Sequence, residues 1–138
     1  MSVVLGFDES PGAVRALTVA IEMSAAFGEP LVLVYATAAP GAMGDEYAAH
    51  REAVREAGHH ALDHAVRVAE EAGVRATVEL IDHKPAPALL DAAARHAARL
   101  IVVGTWGESP VRGALLGSTP HKLLHLSRVP VLCVPTET

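Results

Sequence analysis

Short runs rich in apolar residues alternate along this chain with longer segments in which apolar residues recur every three or four positions. The short runs predict strands at 2–7, 31–36, 74–81, 100–103 and 131–134. The run 31–36 has no polar interruption, which is typical of a parallel strand buried on both faces. The longer segments predict helices at about 11–27, 45–72, 85–98 and 119–127.

Two of the predicted helices have a clear start signal. Ser10-Pro11 and Thr119-Pro120 each place a hydroxyl residue, which is a good N-cap, before a proline suited to the first helical position. Gly28 follows the first helical pattern and is placed to end it.

The alternation of strands and helices predicts an α/β fold, an open five-stranded parallel sheet with helices on both faces. The 138 residues suit a single domain, 1–138. Ligands of such sheets bind beyond the carboxyl ends of the strands, and Asp8 and Gly104 follow the first and fourth strands. If both serve one site, these strands are neighbours, and right-handed crossovers then give the strand order 3-2-1-4-5.

Composition narrows the class of protein. Aromatic residues make up only 4% of a chain that is 51% apolar, which suits helices packed closely on a sheet. The net charge is −5 with no basic stripe, so nucleic acid is not an expected partner. No apolar run is long enough to span a bilayer, and no signal peptide opens the chain. With a single cysteine, Cys133, no internal disulfide forms, and we expect a cytoplasmic protein with no membrane contact.

Glycines recur in the segment 104–119, GTWGESPVRGALLGST, which joins the fourth strand to the last helix. Glycine lets the backbone approach a ligand closely or adopt unusual angles, and a helix start offers unpaired N–H groups and a favourable dipole to phosphate. The spacing matches neither of the two common phosphate-loop motifs. The segment predicts a phosphate site, although the same glycines would also suit a tight exposed loop without a ligand.

The spacing Gly104-x2-Gly107-x9-Gly117-Ser118 resembles the motif of the nucleotide-binding class of the universal stress protein family. The resemblance runs from VVLGFDES at the start of the chain to PVLCVP near its end. It implies the strand order given above and an ATP site. In that site the loop N–H groups and the Ser118 hydroxyl hold the phosphates, while Thr119 donates through its amide and caps the last helix.

The same resemblance implies further binding residues near the nucleoside. Asp8 would lie beside the adenine and ribose, Gly6 and Phe7 would line the same wall, and the backbone of Ala36 would meet the adenine edge. Asp8 also has a simpler interpretation, as a capping or turn carboxylate. His83 stands where the family often has glycine, which would narrow the adenine pocket or add a contact to the base.

Other candidate residues keep two interpretations. Arg112 either pairs with a phosphate through its guanidinium or is a solvated loop residue, and Trp106 is either a lid or an interface residue. We expect Mg²⁺ with the phosphates. His60 and His64 are four residues apart, but two ligands are weak evidence, and we predict no metal site of the protein's own.

Together these features predict a small ATP-binding regulatory or stress-response protein in which any hydrolysis is slow, since no general base is evident near the loop. The alternatives are a small enzyme that uses adenine nucleotides, of the adenylation or phosphohydrolase type, and a structural dimer module with an empty site. The last strand, 131–134, lies at a sheet edge between two prolines. It predicts a homodimer through this strand, as the resemblance also implies.

Overall fold

In a computed structural model, the structure describes residues 1–8, 10–37, 45–105 and 116–136. Strands and helices alternate along the chain. The elements are β1 (Ser2–Gly6), α1 (Pro11–Phe27), β2 (Leu31–Ala36), α2 (Asp45–Glu71), β3 (Ala76–Ile81), α3 (Pro85–Arg95), β4 (Ala98–Gly104), α4 (Ser118–Leu126) and β5 (Val131–Val134).

The strands form one parallel sheet in the order β3-β2-β1-β4-β5, which confirms the predicted fold class and strand order. The order reverses between β1 and β4, because the chain adds β2 and β3 on one side of β1 and β4 and β5 on the other. The β1–β2 pairing ends where Gly6 lies opposite Val34, whereas β2 continues to Ala36, which pairs with Ile81 of β3.

Helices cover both faces of the sheet because successive strand residues point to opposite sides. On one face, Val3 and Leu5 of β1 pack with α1 and with Leu62 of α2. On the other face, Val4 of β1 packs with α3 and with Leu123 of α4. The central strands are therefore buried on both faces, as their apolar sequences predict. Within the described residues, none of the helices combines the length and the apolar character that a membrane crossing needs.

Element boundaries differ from the prediction where the backbone turns sharply. Helix α3 ends at Arg95, earlier than predicted, and Ala97 has a positive φ of 48°. Strand β4 consequently begins at Ala98 rather than at Leu100. A residue in the left-handed conformation cannot continue a helix, and an alanine gives little sequence signal of this conformation.

Candidate functional site

A cleft of about 250 Å³ opens at the carboxyl ends of β1 and β4, where the strand order reverses. Ligands of open α/β sheets bind at this point of the fold. The residues that line the cleft come from the strand ends and from the starts of three helices. They are Gly6, Phe7, Asp8, Ser10, Ala13, Val34, Ala36, Pro85, Leu89, Val103, Gly104, Gly117, Ser118, Thr119 and Pro120.

All the predicted site residues that the structure describes line this one cleft. These are Gly6, Phe7, Asp8, Ala36, Gly104, Gly117, Ser118 and Thr119. Gly107, Arg112 and Trp106 lie outside the described residues. The fold thus brings together site residues, such as Gly6 and Thr119, that are more than a hundred positions apart in the sequence.

One wall of the cleft is apolar and depends on a glycine. A Cβ atom at Gly6 would lie 2.9 Å from Cδ1 of Leu89 and 3.2 Å from Cγ1 of Val103. Glycine at this position therefore lets Leu89 of α3 pack directly over the end of β1. With Val34 and Ala36 of β2, these residues form an apolar slot, the setting that flat apolar ligands favour.

The α1 start has a side-chain cap. The Asp8 Oδ1 atom accepts hydrogen bonds from the Ser10 N–H at 3.0 Å and from the Ser10 hydroxyl. The Ser10 Oγ atom in turn accepts from the Ala13 N–H at 3.2 Å, which caps α1 as predicted. The turn interpretation of Asp8 is therefore correct for this oxygen, while the half-buried side chain also lines the cleft.

The α4 start has no side-chain cap, and the prediction that Thr119 caps it is wrong. Gly117 is the N-cap residue, and its carbonyl oxygen accepts from the His121 N–H at 3.1 Å. Pro120 has no N–H, so the first-turn N–H groups without an intrahelical acceptor are those of Ser118 and Thr119. Both residues line the cleft. A proline is tolerated anywhere in this first turn, which is why Thr119-Pro120 did not mark the first helical position.

The two described glycines of the 104–119 segment are required by packing rather than by unusual backbone angles. Among described residues, positive-φ glycines are confined to Gly28 and Gly73, and Gly117 has an ordinary φ of −59°. A Cβ at Gly117 would lie 2.8 Å from the Thr105 carbonyl oxygen. A Cβ at Gly104 would lie 2.9 Å from the backbone carbon of Gly12 in α1. Both glycines thus allow backbone segments to meet beside the cleft.

An ion pair links the exposed C-terminal end of α3, the helix that carries Leu89, to β3. Arg95 donates to both carboxylate oxygens of Glu79, at 2.6 and 2.7 Å, and His96 Nε2 lies 3.0 Å from Glu79 Oε1. The hydrogen bonds from Arg95 lower the pKa of Glu79 to about 2. The carboxylate therefore stays ionised through the ordinary pH range, while the position of α3 depends mainly on its buried apolar residues.

His83 is exposed and is not among the residues that line the cleft. Its Nδ1 atom accepts a hydrogen bond from the Lys84 N–H at 2.9 Å, just before α3 begins. The expectation that His83 narrows the adenine pocket is therefore not met, because the structure gives this residue a local contact at the α3 start and does not place it in the apolar slot.

Sequence reasoning missed several cleft residues that it treated as core or as helix starts. They are Ser10, Ala13, Val34, Pro85, Leu89, Val103 and Pro120. A usable signal existed for two of them. Val34 lies opposite Gly6 in the strand register, and Pro85 follows the carboxyl end of β3 closely. Leu89 has no such signal, because its place in the cleft depends on how α3 packs across Gly6.

An open parallel α/β sheet with a cleft at its switch point defines a Rossmann-like α/β domain. Within this class, the profile of the universal stress protein family matches residues 1–135, and the chain belongs to that family.

Individual relatives agree with this assignment. A universal stress protein of Thermus aquaticus is 34% identical over 139 residues, which is 96% of this chain and 97% of that protein. Universal stress protein Rv2028c of Mycobacterium tuberculosis is 36% identical over 137 residues, covering 96% of this chain but 47% of the relative. The chain thus spans about half the length of several curated relatives it matches. A crystal structure of a universal stress protein in complex with cAMP is 29% identical, with a TM-score of 0.71 and coverage of 99% and 98%.

Proposed function

We propose that this chain binds ATP with Mg²⁺ in the cleft at the β1–β4 switch point and acts as a nucleotide-dependent regulatory module. One observation carries the proposal: a single cleft joins an apolar slot to an uncapped helix start. The slot suits a flat base, and the helix start suits a phosphate. An adenine nucleotide has these two parts at its opposite ends.

At the base end, adenine would lie between the β2 end and Leu89 of α3. The β1 pairing stops at Gly6–Val34, so the last two residues of β2 extend beyond their β1 partner. This leaves the β1 side of Ala36 next to the slot, which supports a contact between its backbone and the adenine edge. Asp8, between the slot and α4, would accept hydrogen bonds from the ribose hydroxyls.

At the phosphate end, the N–H groups of Ser118 and Thr119 would donate to phosphate oxygens, together with the Ser118 hydroxyl. The positive end of the α4 dipole favours the same anion. Gly107 and Arg112 are proposed to complete the site from the 104–119 segment. Mg²⁺ would bridge the phosphates and retain most of its water, as it commonly does at nucleotide sites.

Two further observations bear on the ligand and its use. The cAMP complex of a 29% identical family member supports an adenine nucleotide as the ligand class. Asp8 carries the one carboxylate among the described residues that line the cleft. Its Oδ1 atom accepts hydrogen bonds from Ser10. In this proposal Asp8 serves the ribose and not the phosphates, so it is not the general base of a hydrolysis, and we infer regulation with at most slow hydrolysis over an enzymatic role.

Calorimetric titration with ATP, ADP, AMP, cAMP and GTP, with and without Mg²⁺, tests the proposal. We expect adenine nucleotides to bind and ATP to bind more tightly when Mg²⁺ is present. Bound at a hundredfold excess over Kd, ATP should stabilise the fold by about 2.7 kcal/mol, seen as a rise of several degrees in Tm. If no adenine nucleotide binds at millimolar concentration, the proposal is wrong.

We also propose that the protein is a homodimer through β5. This strand is an edge of the sheet, and its residues Val131–Cys133 are half-buried in the single chain. The Pro130 and Val134 carbonyl oxygens accept hydrogen bonds from β4. Because backbone groups alternate sides along a strand, the N–H groups of Val131 and Cys133 point to the free edge. Two such edges can pair around a twofold axis.

Cys133→Pro removes an edge N–H and spares the β4 pairing, whereas Cys133→Ala is the matched control. Light scattering at tens of micromolar should give a dimer for the parent and for Cys133→Ala and a monomer for Cys133→Pro. A monomeric parent protein would refute the proposed dimer.

A further inference from the structure

The outer surface of α4, beyond the cleft, carries two histidines at helical spacing. His121 and His125 are four residues apart, so they lie on the same face of the helix, and both are exposed. Their ring centroids are 4.7 Å apart, with the ring planes tilted by 58°. The two imidazoles are therefore neighbours in solvent, and neither contributes to the core.

Two imidazoles at this spacing can act as ligands of one metal ion. One helical turn brings the side chains at positions i and i+4 within reach of a common ion, which is the arrangement zinc sites use on helices. Imidazole suits Zn²⁺, Cu²⁺ and Ni²⁺, whereas Mg²⁺ prefers oxygen ligands. We propose that His121 and His125 bind a divalent transition-metal ion of this class, with solvent molecules completing its coordination.

The helix dipole acts differently on the two histidines. His125 lies in the last turn of α4, where the negative end of the dipole attracts positive charge, whereas His121 is one turn closer to the positive end. The chain carries a net charge of −5. Lys122 is adjacent in sequence and opposes the ion, but its side chain is exposed, so solvent and salt screen this repulsion.

The proposed site has two protein ligands and departs from the expectation of no metal site, because the two imidazole rings are in contact. Among the described residues, no group of three His, Cys, Asp or Glu side chains is placed to hold a metal ion. The ion therefore keeps open positions for water or another small ligand, and it binds more weakly than in a closed structural zinc site with four protein ligands.

A second histidine pair in the chain provides a matched control. His60 and His64 on α2 have the same spacing and are also exposed. His60 lines a groove with Asp63 and Arg67, whose opposite charges offset each other, so local charge does not separate the two histidine pairs. Among the described residues, His121 and His125 on α4 are the histidines whose rings contact each other. The α4 pair is therefore the one we expect to bind.

Titration of nucleotide-free protein with Zn²⁺, followed by calorimetry and by NMR of the imidazole resonances, tests the site. We expect one Zn²⁺ per chain and selective shifts of the His121 and His125 rings, which Mg²⁺ does not produce. His121→Gln and His125→Gln should each lower Zn²⁺ affinity at least about tenfold, the size seen when even a supporting group of a metal site is lost. The double variant His60→Gln/His64→Gln should bind as the parent does.

Both histidines are exposed, so the single variants should fold, and equal melting temperatures in the presence of EDTA check this. The proposal is overturned if the two α4 variants keep the parent's Zn²⁺ affinity or if the α2 double variant loses it. It is also overturned if the parent shows no saturable binding at Zn²⁺ concentrations up to about 1 mM, a level that detects even weak association. Because no nucleotide is present, these outcomes do not depend on whether the cleft binds ATP.

Discussion

Of the three helices that begin at the cleft, α1 and α4 start from similar sequences, and of these two only α1 has a side-chain cap. Helix α1 follows Ser10-Pro11, and Ser10 Oγ accepts from the Ala13 N–H while Asp8 holds Ser10 in place. Helix α4 contains Thr119-Pro120, but its N-cap is Gly117, which has no side chain to accept a hydrogen bond.

This difference indicates which helix start is suited to a ligand. The Ser10 hydroxyl oxygen already accepts from the Ala13 N–H at the α1 start, so this cap contributes to stability and to the shape of the cleft. At the α4 start the Ser118 and Thr119 N–H groups have no intrahelical acceptor, and an anion can bind there without displacing a cap. A capping signal in the sequence therefore does not by itself mark a binding site. A helix start whose N-cap is glycine, and so lacks a side-chain cap, is the better indication of one.

The largest expected effect follows from filling the α4 start. Gly117→Val places side-chain atoms beside Ser118 and Thr119, and its Cβ would lie 2.8 Å from the Thr105 carbonyl oxygen. Both the ligand space and the approach of residue 117 to β4 are then lost. We expect ATP affinity measured by calorimetry to fall at least about a hundredfold, that is, by about 2.7 kcal/mol or more.

Gly73→Ala is the control for this substitution. Gly73 has a φ of 79°, with no atom within 4 Å of the position that a Cβ would take, and it lies at the end of α2, away from the cleft. Its replacement should lower stability through backbone strain by about 1 kcal/mol and leave ATP affinity unchanged. Parent-like binding by Gly117→Val would show that the α4 start is not the phosphate site.

The second effect tests the close packing of Gly104 against the backbone at the start of α1. Gly104→Ala would place a Cβ 2.9 Å from the Gly12 carbonyl carbon and 3.0 Å from its oxygen, and these are backbone atoms that move only with α1. We expect the free energy of unfolding to fall by about 1–3 kcal/mol, as for other overpacked sites. Denaturation by urea measures this change, and an unaltered midpoint would contradict the packing role of Gly104.

The sequence was sufficient for the strand order but not for the walls of the cleft. Apolar runs, helix periods and the placement of Asp8 and Gly104 at strand ends lead to the order β3-β2-β1-β4-β5, because few topologies satisfy the handedness rules. Gly117 and Ser118 of the predicted motif lie at the α4 start, although the helix begins at Ser118 and not at the predicted Thr119. The contacts of Gly6 with Leu89 and of Gly104 with Gly12 could not be predicted in this way, because they depend on tertiary packing between distant segments.

The third effect separates capping from binding at α1. Ser10→Ala removes the oxygen that accepts from the Ala13 N–H and the hydroxyl that donates to Asp8. We expect a loss of about 1 kcal/mol in the free energy of unfolding, the usual cost of deleting a serine cap. ATP affinity should change little, because the α1 N–H groups do not contact the phosphates in our proposal. A large loss of affinity with unchanged stability would mean that α1, and not α4, holds the anion.

The last effect is the converse one, at α4. Ser118→Ala removes a hydroxyl that is exposed and makes no cap, so the free energy of unfolding should stay within about 0.5 kcal/mol of the parent value. The backbone N–H of residue 118 is retained, and therefore most of the phosphate contact survives. Loss of one hydrogen bond to a charged group should lower ATP affinity by about 1.5–3 kcal/mol at most. Because solvent can replace an exposed hydroxyl, we expect the lower end, about a tenfold loss.

Calorimetry on Ser10→Ala and Ser118→Ala under identical conditions gives the sharpest test, since stability should change in the first variant and affinity in the second. If the two variants behave alike, the contrast between the capped and the uncapped helix start does not explain where the ligand binds.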